Sequence, residues 1–141
     1  MQDTDRANVS IARIYDRSMR LASIEAGVVD ALDPFGGIAR FVKPGQIVGL
    51  KPNQTLFKPD TEGSTTSPRM IMALIRICKD AGAKDVWVIE AAGHAQLTRR
   101  VCGSTGMADA VREAGGHMIY LDEIAQKIVD FGSEARIRYM P

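Results

Sequence analysis

The strongest constraint on this chain is a pair of short uncharged runs on either side of one amphipathic helix pattern. Ile47, Val48, Gly49 and Leu50 form the first run, and Val86, Trp87, Val88 and Ile89 form the second. A continuous apolar run is the mark of a strand buried on both faces, and such strands belong to parallel sheets. Between the runs, Met70, Ile71, Leu74, Ile75 and Cys78 recur at the spacing of one helical face. Ser67 can cap that helix, Pro68 suits its first turn, and Gly82 suits its end. Strand, helix, strand in this order predicts two parallel strands joined by a crossover.

The rest of the chain extends the pattern. Residues 9–15 (VSIARIY) alternate roughly, as an edge or half-buried strand does. Ser18 can cap a following helix whose apolar positions run from Leu21 to Val29, and residues 34–37 break it. After the second run, a helix begins near Gln96, breaks at residues 103–106 and resumes over residues 107–114. Residues 117–121 read as a third strand, residues 122–129 as a helical turn or two, and residues 135–140 as a last short strand. The expectation is one α/β domain over residues 1–141, three-layered, with a mostly parallel sheet and helices on both faces.

Composition narrows the function classes. The chain has 141 residues, 45% of them hydrophobic and 25% charged, so it can build a core. A net charge of +1 argues against nucleic acid or a membrane surface as partner. No apolar run reaches the roughly 18 residues that span a bilayer. Residues 1–8 are polar and lack the apolar stretch of a signal peptide. Cys78 and Cys102 stand in unrelated contexts, which predicts a reduced, cytoplasmic protein without a disulfide framework. No CxxC or HExxH spacing occurs, so no metal site and no iron–sulfur ligand set is expected here. Walker, dinucleotide and nucleophile-elbow signatures are also missing.

The chemistry falls at strand ends. In an open parallel sheet, ligands bind outside the carboxyl ends of the strands. Lys51 and Asn53 follow the first buried run, and Glu90 and His94 follow the second. If the two strands are neighbours, these side chains share a crevice. The helix start at Thr66 and Ser67 opens on the same side, where free N–H groups and the helix dipole favour an anion. Lys51 would clamp an anionic group, Asn53 would orient it, and Glu90 or His94 would transfer a proton. Lys51-Pro52-Asn53 also reads simply as a turn, and Ser67-Pro68 as a routine helix start. The irregular stretch of residues 51–66 is long for a compact domain, which points to function or mobility.

Three runs carry a family resemblance: GGIARFVKPGQIVGLKPN, TTSPRMIMALIRICKDAGAKDVWVIEAAG and STGMADAVREAGGHMIYLDE. In this order they resemble the proteins grouped as domain of unknown function 362. The motif maps onto Lys51, Pro52, Asn53, Thr66, Pro68 and Glu90, whereas His94 departs from the commoner polar-glycine loop. The resemblance implies an association with 4Fe-4S ferredoxin modules and hence redox work. Family members are about twice this long, so it also implies the N-terminal half of a longer architecture. A homo-oligomer or a partner chain could then complete the fold. A further likeness, to the N-terminal domain of nickel-dependent lactate racemases, rests on Ser67-Pro68-Arg69 and Gly93-His94. It places Arg69 among the ligand-binding residues and implies an isomerase-type reaction.

Overall fold

The computed structural model describes residues 8–93, 97–125, 127, 129–130, 132 and 139–140. Three strands, β1 (Ile47–Leu50), β2 (Asp85–Glu90) and β3 (His117–Tyr120), form one sheet in the order β1-β2-β3. Both pairings are parallel, with Gly49 opposite Trp87 and Trp87 opposite His117. The expected α/β class and parallel sheet are therefore present. Helix α1 (Leu21–Leu32) precedes the sheet, α2 (Pro68–Asp80) joins β1 to β2, and α3 (Thr98–Ser104) with α4 (Met107–Glu113) joins β2 to β3.

The core follows from alternation along the strands. Val86 and Val88 of β2 are wholly buried against Ile71, Ile75 and Cys78 of α2 and Met107 and Val111 of α4. Val48, Leu50, Met118 and Tyr120 share that side of the sheet. Burying Ile75 completely contributes about 1.5–3 kcal/mol. Both crossovers pack on this one face, and α1 lies against α2, where Arg76 meets Glu25 at 3.6 Å. Helices on both faces were expected; among the described residues the expectation is met on one.

The opposite face carries Ile47, Trp87, Ile89 and Ile119, with Ile47 49% and Trp87 38% exposed. The first run is thus not buried on both sides: β1 is an edge strand. Trp87, expected in the core, sits on the open face, and its indole N–H donates to Asp85 at 2.9 Å.

Local signals explain the helix ends. Ser67 takes the capping position of α2, but its side chain makes no cap bond. The helix ends at Gly82, whose φ of +90° suits glycine, and a Cβ there would stand 3.3 Å from Pro44 Cα. At α1, Ser18 is not the cap. Asp16 receives hydrogen bonds from the Ser18 hydroxyl, the Arg20 N–H and the Ser23 hydroxyl, and so ties down the first turn. These bonds, with the Arg20 guanidinium, hold its carboxyl well below the usual carboxylate range.

Three expected elements differ. Residues 9–15 join no ladder, because among the described residues no strand lies alongside them; Val9, Ile11 and Tyr15 are strongly exposed. Of residues 122–129, Asp122 and Glu123 close a single 3-10 turn that starts at Leu121. The last strand, β5 (Tyr139–Met140), pairs antiparallel with β4 (Val129–Asp130) apart from the main sheet.

Candidate functional site

The site grows from the carboxyl ends of β1 and β2. Because these strands are neighbours, Lys51 and Glu90 come together: Lys51 Nζ stands 2.7 Å from Glu90 Oε1. Glu90 lies on the helix-covered face and is 1% exposed, whereas the Lys51 side chain is 59% exposed. The Ala91 N–H donates to the same Oε1 at 2.7 Å, and Lys51 also donates to the Pro52 carbonyl at 2.6 Å. Glu90 Oε2 is buried, and no described group donates to it.

Asn53 and Thr66 also meet, but in the service of the loop. The Asn53 N–H donates to the Thr66 hydroxyl at 2.8 Å, and its amide donates to the Ser64 carbonyl at 2.7 Å and the Thr55 hydroxyl at 3.1 Å. Both residues thus hold the two limbs of the stretch 51–66 together, with the bridge between Gln54 and Thr65 beside them.

Ser67 and Arg69 stand elsewhere on the same edge. They line an open cleft of about 540 Å³ with Arg17, Ser18, Met19, Asp60, Thr61 and Pro68. Arg69 donates to the Ser18 and Met19 carbonyls at 3.2 and 3.1 Å, so its guanidinium also anchors the segment before α1. His94 lies outside the described residues. The anticipated crevice therefore divides into a buried acid–lysine pair, a pinned loop and a cleft with two arginines.

Sequence reasoning missed four supporting residues, Gln54, Thr105, Thr98 and Asp122. Gln54, 1% exposed, donates to the Thr66 carbonyl and accepts from Thr105 at 2.8 Å. Thr98, also 1% exposed, accepts from the Ala92 N–H at 3.0 Å, while its own N–H donates to Asp122 at 3.0 Å. That bond, first among several, holds the Asp122 carboxyl below its ordinary value. No local pattern marks these residues, since each partner is remote in sequence or in an irregular loop.

Cys102 is wholly buried. Burial, then the charges of Glu90 and Asp122, push its thiol up to about 11. Cys78, buried on α2, is also pushed up by burial. Neither thiol is a ready thiolate ligand, and among the described residues no three His, Cys, Asp or Glu side chains gather as a metal site. These residues do not fit an iron–sulfur cluster.

Residues 48–139 match the family model described as Domain of unknown function (DUF362). The chain belongs to this family. Among curated relatives, the Thylakoid-associated protein sll1697 of Synechocystis sp. is 28% identical over 122 residues. That alignment takes in 86% of this chain but 34% of the relative, so the chain spans about a third of that protein's length. No solved structure matches the chain. Among the described residues of this DUF362 chain, no helix is long and apolar enough to cross a membrane. The family match takes in Lys51, Asn53, Thr66, Ser67, Arg69 and Glu90.

Proposed function

We propose that this chain is the anionic-ligand-binding part of a redox-associated DUF362 enzyme, with the Lys51–Glu90 pair as its working groups. The observation that carries the reading is the fully buried Glu90 carboxylate at the carboxyl end of the central strand, paired to an exposed lysine. Buried, paired titratable groups at the ligand end of a parallel sheet favour function over surface decoration. Lys51 has three ammonium protons and spends two on Glu90 and Pro52, which leaves one for a ligand anion. Glu90 is then the group to take up or return a proton beside it. Arg69 and Arg17, with Ser67 and opposite Asp60, line a second cleft at the start of α2, where the helix dipole adds to the two arginines. The redox part rests on the family resemblance, and any cluster would belong to other polypeptide. An isomerase of the lactate-racemase type would use the same pair for proton transfer.

Titration of the protein with acetate and inorganic phosphate, followed by calorimetry, tests the reading. Lys51→Ala should weaken binding about tenfold or more, the loss of one charge-assisted hydrogen bond. Equal binding by wild type and variant removes Lys51 from the site.

A second reading, a non-catalytic assembly domain completed by a second copy or a partner chain, draws on the open sheet face. Ile47 and Trp87 there are more exposed than core residues of a closed α/β sandwich. Sedimentation at micromolar concentration separates the readings, because a clean monomer speaks against assembly through a second copy.

A further inference from the structure

The three most exposed large apolar side chains, Ile11 at 90%, Tyr15 at 82% and Val9 at 79%, stand on one extended segment. Alternate residues of that segment turn inward: Ile14 packs so closely on α1 that a Cβ on Gly27 would stand 2.6 Å from its Cγ1. The inward row therefore fixes the outward one. No backbone hydrogen bond among the described residues ties residues 8–15 to a strand. Helix α1 adds to the same surface. Glu25 and Asp30 are its only charged residues, and a helix apolar on nearly all sides belongs in an interior. Yet Ile24 alone is fully buried, while Ala22, Ala26 and Val29, at helical spacing, are exposed.

Area and charge both point to what covers this surface. Val9, Ile11, Tyr15 and Val29 leave roughly 400 Å² of apolar surface open in each copy. That is close to the apolar share, somewhat over half, of the ~800 Å² that each partner gives to a stable interface. Between the segment and α1 lies an open cleft of about 240 Å³, with Ala26 and Gly27 in its wall and Arg13 and Asp30 beside them. Neither Arg13 nor Asp30 makes an ion pair with a described residue. Asp16, the other charge lining the cleft, is already held by Ser18, Arg20 and Ser23. A patch with one unpaired cation and one unpaired anion is complementary to itself: across a two-fold axis, Arg13 of each copy faces Asp30 of the other.

We propose that this surface is the interface of a homodimer, in which residues 9–15 and α1 of two copies pack across a two-fold axis. Tyr15 of each copy sits over the small Ala26 and Gly27 of the other, and two Arg13–Asp30 pairs close the rim. Helix α1 lies against α2, so the interface is separate from the open sheet face around Ile47 and Trp87. It does not rest on the ligand role of Lys51 and Glu90.

Sedimentation velocity of the whole chain at micromolar concentration tests the proposal, and wild type should run as a dimer. Ile11→Asp should weaken that dimer at least about a hundredfold, since two buried isoleucines are lost per dimer. Its circular dichroism should match wild type, because Ile11 is too exposed to support the fold of one copy. Arg13→Asp and Asp30→Arg should each weaken the dimer about tenfold or more. Arg13→Asp/Asp30→Arg, which rebuilds both pairs with the signs exchanged, should recover most of that loss. A clean wild-type monomer would overturn the proposal. A dimer that survives Ile11→Asp would overturn it as well, and loss of that dimer in Trp87→Ser would move the contact to the open sheet face. No recovery in the double variant would overturn the Arg13–Asp30 pairing.

Discussion

The Thr105 hydroxyl donates to Gln54 Oε1 at 2.8 Å and so joins the loop after β1 to the junction of α3 and α4. Gln54 is 1% exposed, and its amide nitrogen donates to the Thr66 carbonyl at 3.2 Å, next to the start of α2. One buried amide thus fixes both limbs of the loop that carries Lys51. Gln54→Ala removes both bonds and leaves a small void, at a cost of about 2–4 kcal/mol in urea unfolding. Thr105→Val breaks one bond and should cost about 1 kcal/mol. A Gln54→Ala protein as stable as wild type would contradict the clamp.

The Lys51–Glu90 pair should show energetic coupling. Lys51→Met leaves a buried carboxylate without its countercharge, which destabilises by about 1–3 kcal/mol. The exposure of Lys51 keeps this below the cost of breaking a fully buried pair. Glu90→Gln in the Lys51→Met background should cost less than it does in wild type. A double-mutant cycle from urea midpoints measures the difference, and strict additivity would show that the two side chains do not interact.

Cys102 links stability to alkaline pH. Its thiol is raised in the fold from an ordinary 9.0 to about 11, by burial first and by Glu90 and Asp122 next. A raised folded value means the contribution is fully present below pH 9 and is lost as pH climbs toward 11. Cys102→Ala should flatten that limb of the stability curve. A thiol reagent at pH 8 should leave the native protein unmodified at this position and react once urea unfolds it; prompt native labelling would be inconsistent with the burial.

Asp122 contributes to the acid side. The Thr98 N–H, first among its causes, lowers its carboxyl in the fold. The associated stability is present above the ordinary value of 3.8 and is lost as pH falls through the lower folded value. Asp122→Asn should therefore reduce the acid sensitivity of unfolding as pH falls below the ordinary value of 3.8. An unchanged acid limb would assign that sensitivity to other carboxylates.

Gly116 tests the fit of β3 against the core. A Cβ there would lie 3.2 Å from the Val86 carbonyl oxygen, 3.0 Å from Ile75 Cδ1 and 3.3 Å from Val111 Cγ1. The backbone oxygen cannot step aside as a side chain can. Gly116→Ala should destabilise by about 1–3 kcal/mol, read as a fall of several degrees in the thermal midpoint.

What the sequence reveals depends on how far the information travels. Helix α2 was legible because its apolar spacing, Pro68 and Gly82 are all local signals. The meeting of Lys51 and Glu90 was legible from topology, since adjacent parallel strands bring their ends together. Trp87 was misread because an uncharged run does not tell whether anything covers its second face. Ser18 is a good capping residue, but Arg20 takes that position in α1, and only the turn geometry brings Asp16 to the Arg20 N–H and the Ser23 hydroxyl. Residues 9–15 have a strand's alternation, but a strand exists only beside a partner. Gln54 gave no sign of burial, because Thr105 lies 51 positions away.

The strand order β1-β2-β3 has a bearing on how the chain is made. Each strand lies beside the next one to be synthesised, so no strand has to wait for a distant partner. As translation proceeds, α2 and β2 can dock on β1 before α3 has left the ribosome, and α4 and β3 then dock on the surface just formed. The Lys51–Glu90 pair is complete once β2 is in place, before α3 and α4 emerge.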